Sequence, residues 1–591
     1  MILRSALLLL ALASLVTPVL AIPTISVKEI RPGMHGIVYT VLQGTTIVPV
    51  DTEILGVAEN SLGPGYDLII GKLVDPKTSL VEAVHGMSGS PLYIDGKLAG
   101  ALSRRLATFE KDGHCGFTPI ADMLRVADGA RPPAAIAAVQ GGVRTPFLPG
   151  KPAFLGNGNG GAFETLGIPF SVTGLSGAAT QALLRAFGYA DSGLVPVAAG
   201  GGESLARLKD VKLEPGSAVS AVLMDGALTV AGTGTLTWRE GDKVLAFGHP
   251  MTGMGRSAWG MAPAEIITTI PSYERPYKLA NVGPVTGTVV EDRLSAIAGI
   301  VGALPPMASY DIVRSFEGAP LPTLSGHFSV EPAVAPLLAA SAAMGAVTLG
   351  NEAGRTLTLR ATGEVELQGL PPLRLGGVWS GEDVELASAL RELVAPLSVL
   401  YSQDWERPRP VALRLKLETS AAVHAWTVDA VRSDAPSYRP GATVGLDVTL
   451  RERYGQRVVR HVDLVLPPAL KAGAFRVRVA DGAALDGPEL LRAVPALRDA
   501  AQLVALLNRR RDGGRLYVQV VSDAPGEIVA DREMPALPPS VLSVMRAPGA
   551  GTGDDAAVAL RERVWAETSQ EIPGGIGALS GEQTLSLTIQ P

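Results

Sequence analysis

Runs of β-branched and apolar residues broken by glycine dominate the chain from Thr24 to about Leu124. Thr46-Ile47-Val48 and Asp67-Leu68-Ile69-Ile70 read as strands, and Tyr93-Ile94-Asp95-Gly96-Lys97-Leu98 as a hairpin, with Asp-Gly between apolar flanks. Arg131-Pro132-Pro133 and the run Gly156-Asn157-Gly158-Asn159-Gly160-Gly161 follow as linker or surface loop. Leu175 to Gly188 is predicted to be a short helix capped by Ser176 and ended by Gly188. Strands resume near Ser217, with Leu228-Thr229-Val230 and Gly234-Thr235-Leu236-Thr237-Trp238 flanking glycine turns and a hairpin tip at Glu240-Gly241-Asp242, and run to about Gly302. Gly326 to Leu370 and Pro410 to Leu417 are mostly alternating strand text. The spacing of Val384, Leu386, Leu390 and Leu393 predicts a helix over Glu382 to Leu397. From Ala425 onward the chain has sandwich-like strands such as Ala442 to Val448, one helix near Glu489 to Asn508, and a final strand from Thr584 to Ile589. No repeat of fixed period is present. The fold class is mainly β.

The first 21 residues carry a different pattern. Arg4 gives a positive start, Leu7 to Val16 form an apolar run, and Val19 and Ala21 occupy the spaced positions that a signal peptidase reads. This predicts a signal peptide over residues 1–21 and a secreted or periplasmic bacterial protein. No later stretch reaches the roughly 18 uninterrupted apolar residues of a membrane span. At 591 residues the chain is too long for one core, and three or four domains are expected. A net charge of -6 argues against nucleic acid or an anionic membrane as the main partner. Cys115 is the single cysteine, so no intrachain disulfide can form and cysteine-based metal or redox chemistry is not expected.

Candidate chemistry centres on Gly86-Met87-Ser88-Gly89-Ser90-Pro91. Acyl transfer by serine needs an exposed hydroxyl, a base about 3 Å away, and backbone amides aimed at the developing oxyanion. Gly86, two residues before Ser88, permits a tight turn in which the Gly86 and Ser88 amides share one pocket. Gly89 keeps the far side of the hydroxyl open, and Pro91 starts a strand. The order G-x-S-G-x-P matches the serine turn of chymotrypsin-like proteases and differs from the G-x-S-x-G elbow of α/β-hydrolases. A solvated serine on a glycine-rich turn is the alternative. Ser90 is a rival nucleophile. Ser176 in Gly174-Leu175-Ser176-Gly177 reads as a helix cap.

For the base, His249 in Leu245-Ala246-Phe247-Gly248-His249-Pro250 ends a strand beside glycine, where a side chain can project into a cleft. His85 adjoins the serine turn but is expected to face away from the hydroxyl. His35, His114, His327, His424 and His461 have no supporting residues around them. The orienting carboxylate is Asp75 in Leu73-Val74-Asp75-Pro76, with a plain Asp-Pro turn as its competing reading and Asp242 and Asp292 as alternatives. No His-Glu-x-x-His or other metal spacing occurs, and the glycine run lacks the Gly-Lys-Ser/Thr ending of a phosphate loop, so neither metal nor cofactor is expected.

With these residues in hand, the chain resembles the SpoIVB-type serine peptidases over roughly Thr24 to Leu124 and Gly216 to Gly302. The first block holds the serine turn, Gly96-Lys97-Leu98-Ala99-Gly100-Ala101 and Thr118-Pro119-Ile120-Ala121-Asp122-Met123-Leu124. The second holds Gly234 to Trp238 and Ala246-Phe247-Gly248-His249. The resemblance implies a chymotrypsin-like double β-barrel and cleavage of proteins outside the cytoplasm, with Ser88, His249 and Asp75 as the triad. It also implies a division into a serine-bearing half (22–127), a linker or inserted α/β segment (128–214) and a histidine-bearing half (215–302). A β-rich domain with one helix (303–424) and a sandwich-like domain with one helix (425–591) would follow. One departure stands out: in the sporulation protease the histidine block comes first, whereas here it follows the serine. The order is permuted, which triad geometry tolerates. The expected activity is a serine endopeptidase acting on protein or peptide substrate, with an envelope partner for the C-terminal domains. A non-catalytic envelope scaffold and a self-processing protein are the alternatives.

Overall fold

The computed structural model describes residues 22–76, 83–106, 112–130, 164–175, 180, 194–197 and 203–591, apart from 273–274, 350–355, 404, 406, 454, 494–496, 498, 530–531, 536, 546–557 and 575–576. The expected signal peptide (1–21), both linker runs and most of the expected helix from Leu175 to Gly188 lie outside the described residues.

Six strands close the first barrel: β1 (His35–Val41), β2 (Ile47–Ala58), β3 (Leu68–Leu73), β4 (Pro91–Ile94), β5 (Lys97–Arg105) and β6 (His114–Pro119). Their order is β4-β1-β2-β3-β6-β5, and β5 pairs back onto β4. Alternation places one face of each strand inside. In β2, Val50, Thr52 and Ile54 point inward while Asp51 and Glu53 point out. Val38, Val50, Ile54, Ile69, Leu92 and Phe117 fill the interior. The β4–β5 hairpin turns at Asp95 (φ +49°) and Gly96 (φ +75°), the left-handed pair that a two-residue Asp-Gly turn requires.

Helix α1 (Ile120–Gly129) follows. Its Ile120, Met123, Val126 and Ala127 meet Leu98 and Ala101 of the first barrel and Trp238, Leu245 and Ala298 of the second, so the helix is a wedge between them. Within 128–214 the described strands are β7 (Glu164–Thr165), β8 (Ile168–Thr173) and β9 (Leu194–Val197).

The second barrel comprises β10 (Ala218–Gly226), β11 (Thr229–Glu240), β12 (Lys243–Ala246), β13 (Gly255–Ile270), β15 (Gly287–Arg293) and β16 (Ala296–Val301), with β14 (Tyr277–Val282) laid on β13. The order β10-β13-β15-β16-β12-β11 closes through β10 and β11. Sequence pattern predicted glycine turns inside 228–238, but β11 runs unbroken. Its glycines serve close approach instead: a Cβ on Gly234 would lie 2.5 Å from the Phe247 ring, and one on Gly232 2.8 Å from Met251 Sδ.

Beyond β10 the sheet continues as a half-barrel through β18 (Ala319–Ser329), β17 (Met307–Phe316), β21 (Pro410–Ser420), β19 (Thr356–Leu367) and β20 (Leu373–Glu382). Two helices serve it rather than one: α2 (Ala335–Thr348) and α3 (Asp383–Tyr401). The second matches its 3.6-residue spacing, whereas α2 corrects an expectation of strand. It is alanine-rich and buried nearly all round, so it has no polar face to betray its period. In the C-terminal sandwich a four-stranded sheet and a six-stranded sheet share one core of Val444, Leu446, Val477, Val479, Val518 and Val520. The expected helix near Glu489 to Asn508 is two, Gly482–Ala493 and Ala500–Leu507, with Pro495 between them in the sequence. A further helix spans Pro539–Met545. With 54% strand and 16% helix the protein is mainly β, two closed barrels with β-rich modules behind them. No helix among the described residues is long and apolar enough to cross a membrane.

The tightest contact between the barrels is at Gly89, where a Cβ would lie 1.9 Å from the Thr235 carbonyl oxygen and 2.4 Å from the Phe247 nitrogen, at φ +94°. Gly96 has a similar φ and nothing within 4 Å. Gly96→Ala should therefore cost about 1–2 kcal/mol of backbone strain, whereas Gly89→Ala should cost more than about 4 kcal/mol. Urea unfolding of the two variants checks this; equal losses would mean that the barrels do not meet at Gly89.

Candidate active site at the barrel junction

Two consecutive tight turns present Ser88. The Val84 carbonyl accepts from the Met87 amide (3.0 Å) and the Met87 carbonyl from the Ser90 amide (2.9 Å). Gly86 and Gly89, each at φ +94°, take the third position of these turns, where a type II geometry needs a left-handed residue. Gly89 N donates to the Leu102 carbonyl (2.8 Å) and Leu102 N to the Ser90 carbonyl (2.9 Å), which fixes the turns to β5. The Gly86 and Ser88 amides meet no acceptor among the described residues. Gly89 thus does more than leave space beside the hydroxyl: it is where the second barrel touches.

His249 follows a strained bend. The Gly248 amide donates to the Ala246 carbonyl (2.9 Å) across Phe247 at φ +70°, the rarer and strained form of γ-turn. A bulky residue there costs about 1–3 kcal/mol and persists only where packing dictates it. The dictating contacts are Phe247 N to the Thr235 carbonyl (3.2 Å) and Thr118 Oγ1 to the Gly248 carbonyl (2.7 Å). The His249 ring is buried, with Nδ1 2.8 Å from the Pro250 carbonyl. A carbonyl only accepts, so Nδ1 carries the hydrogen and Nε2 presents its lone pair. Nε2 makes no hydrogen bond of acceptable geometry, while the Leu166 backbone approaches the ring closely enough to raise its pKa against the lowering by burial.

Ser88 and His249 converge on one seam. The Thr235 amide donates to the Ser88 carbonyl (2.8 Å), and the Thr235 carbonyl accepts from Phe247, two residues before His249. Ser88 Oγ is fully buried and, like His249 Nε2, has no hydrogen-bond partner, so the two do not bond to each other in this conformation. Buried polar atoms are nearly always satisfied; Ser171 Oγ, Trp259 Nε1 and Trp426 Nε1 also lack a partner, so what distinguishes this pair is the backbone seam that it shares.

Asp75 is also buried, but its carboxylate accepts from the Asp51 amide (3.4 Å) at the end of β3, and neither ring nitrogen of His249 bonds to a carboxylate. The rival Ser90 is engaged elsewhere: its hydroxyl lies within hydrogen-bond distance of Thr40 Oγ1 (3.0 Å) and Thr235 Oγ1 (3.3 Å), with its one hydrogen going to one or the other. His85 accepts the Gly167 amide at Nδ1 (2.6 Å). His35, His327 and His461 form exposed pairs with Asp51, Asp225 and Asp447. Among the described residues no group of three or more His, Cys, Asp or Glu could hold a metal ion.

Sequence reasoning passed over three features. Lys278 on β14 is fully buried, its Nζ donating to Thr40 Oγ1 (2.8 Å) and its stem lying along Gly86. With Ser90 and Thr235, whose hydroxyl donates to the Gly86 carbonyl (3.1 Å), it underpins the serine turn. Arg104 is likewise buried, with one guanidinium nitrogen on the Ser103 carbonyl (3.1 Å). The chain's own segment from Glu164 to Pro169 closes the site. Glu164 and Thr165 pair antiparallel with Arg105 and Arg104 of β5, Leu166 N donates to the Ser103 carbonyl (3.0 Å), and Gly167 reaches His85. Tyr277-Lys278-Leu279 sets a cation between apolar residues, but only the fold reveals that Lys278 shares the buried face of β14 with Ala280 and Val282.

Burial sets the electrostatics. It holds His249 down to about 3, with the Arg104 charge adding to the effect, and His85 down to about 4, aided by Arg105 and Arg275. Burial also lowers Lys278 to about 7 and Arg104 to about 10. The site is neutral imidazole in a cationic pocket.

Set against models of known protein families, curated proteins and solved structures, the chain matches none of them.

Two pH effects follow. His85 and His249 are neutral when folded, while the unfolded chain takes up protons below about 6.5. Stability present above that pH is therefore lost as pH falls toward 4 and 3, by up to about 1.4 kcal/mol per pH unit and site. The double variant His85→Gln/His249→Asn should lose less stability than wild type between pH 7 and pH 5; parallel urea-midpoint curves would refute this. Lys278, like the histidines, is a cation when protonated and is held down by burial; between about 7 and 10.5 the unfolded chain alone holds the proton, so stability rises with pH there. The Tm difference of Lys278→Met from wild type should be more favourable at pH 6 than at pH 9.5, and a difference that does not change with pH counts against a buried amine.

Proposed function

We propose that this protein is an exported serine endopeptidase of the SpoIVB type, chymotrypsin-like in plan, which hydrolyses peptide bonds in proteins outside the cytoplasm. The observation that carries the reading is the pair of buried, unpartnered polar atoms, Ser88 Oγ and His249 Nε2, held at one backbone seam. Ser88 attacks the scissile carbonyl. His249, whose Nε2 is the unprotonated nitrogen, accepts the hydroxyl proton and returns it to the leaving amine. The Gly86 and Ser88 amides, unengaged within the described chain, face the oxyanion. Substrate is an extended peptide that pairs along β5 where Glu164 and Thr165 now lie, so that segment must withdraw before turnover. The SpoIVB-type blocks and the signal-like first 21 residues support the family and the compartment. The C-terminal sandwich serves an envelope partner or presents substrate.

One observation favours a second reading, an envelope scaffold without catalysis: Ser88 is sealed from solvent. A fluorophosphonate probe on the purified full chain separates the two. Labelling of wild type and Ser90→Ala, lost in Ser88→Ala and His249→Ala, is the expected result. Labelling that survives Ser88→Ala, or none in any protein at any pH from 5 to 9, favours the scaffold. A clipped wild-type product without turnover of added peptide would restrict the activity to self-processing.

A further inference from the structure

Asp292 is a fully buried carboxylate at the end of β15, on the far side of the loop that begins at His249. One oxygen accepts the Met251 amide (2.8 Å). The other accepts the Thr252 amide (2.8 Å), the Thr252 hydroxyl (2.8 Å) and the Gly253 amide (2.6 Å). Three consecutive amides and a hydroxyl thus converge on one side chain. Such charge-assisted bonds are short and about twice as strong as neutral ones. The residue that this loop fixes first is Pro250, whose carbonyl receives Nδ1–H of His249.

We propose that Asp292 is the positioning residue for His249, orienting the imidazole through the Pro250 carbonyl, and that Asp75 does not perform this task. In the usual triad a carboxylate binds Nδ1–H directly, selects the tautomer and offsets the charge of the imidazolium. Here a carbonyl selects the tautomer and the carboxylate holds that carbonyl's loop from behind, from a strand that β16 separates from β12; burial raises the pKa of Asp292, and its bonds from the loop oppose that rise. The arrangement needs no contact between His249 and a carboxylate, consistent with the ring having none. Asp75 lies instead against Asp51 of the first barrel.

The inference rests on the peptidase reading for its catalytic meaning but not for its structural one, and two readouts separate them. The first is the tautomer of His249, read from two-bond nitrogen–proton correlations of histidine-labelled full-length protein, with His249→Asn supplying the assignment. Wild type and Asp75→Asn should show the Nδ1–H form. Asp292→Asn should mix the two tautomers, because an amide nitrogen cannot accept from the loop amides. Thr252→Val, which removes the hydroxyl bond alone, provides a milder change if Asp292→Asn unfolds, and should broaden or partly shift the same signal. The second is the rate of fluorophosphonate labelling of Ser88, expected to fall at least 100-fold in Asp292→Asn and several-fold in Thr252→Val but less than threefold in Asp75→Asn. An unchanged tautomer in both loop variants overturns the proposal even if the enzyme is active. A tautomer that shifts in the loop variants, in a protein whose wild type never labels, upholds the positioning role while the peptidase reading fails.

Discussion

A short run of backbone hydrogen bonds holds the candidate site together. Ser88 C=O to Thr235 N–H and Thr235 C=O to Phe247 N–H place the serine turn of one barrel on the histidine strand of the other, through a residue whose hydroxyl also binds the Gly86 carbonyl. Backbone groups cannot be exchanged by substitution, so the contact is specified by what the flanking side chains permit. Gly89 and Gly234 leave the surfaces bare enough to meet. The left-handed Phe247 turns the chain so that its ring covers Gly234, 2.5 Å from where a Cβ would be, while His249 emerges beyond it. The strain at Phe247 is tolerated because the bond to the Thr235 carbonyl, the bond from Thr118 to the Gly248 carbonyl and the ring's packing on Gly234 each depend on the same bend.

That seam also explains why a serine-first order is workable. Two closed barrels each satisfy their own ladders, so either can come first in the chain, and α1 packs between them regardless of which barrel it leaves. What the proposed chemistry needs is that the serine turn leading into β4 face the loop that leaves β12, a relation of surfaces and not of sequence order.

Much of this was legible in the sequence. Asp95-Gly96 foretold its hairpin because a two-residue turn with two left-handed positions has few acceptable residues. The serine turn was legible for the same reason, since Gly86 and Gly89 fill positions that nearly exclude other side chains. Helix α3 has a one-sided apolar stripe, whereas α2 is apolar on every side and gave no period. The carboxylate was least legible. Asp292, one of two alternatives to Asp75 in the sequence, sits in an ordinary Val-Glu-Asp-Arg strand end, and its proposed role arises from three amides 39 to 41 residues away that only the fold brings to it.

A neutral histidine held near 3 is a poor proton acceptor, and the same burial that holds it there also seals Ser88. The two facts have one cause and one remedy. Withdrawal of Leu166 and Gly167 would admit water, or the amides of a peptide, to the Ser103 carbonyl and to His85, and would return dielectric screening to the Arg104 charge. The imidazole would rise toward its ordinary value just as the hydroxyl became reachable. In the proposed enzyme, access and basicity are therefore coupled: the segment that excludes substrate also keeps the base from working, and each opening of it, spontaneous or driven by a peptide, restores both together.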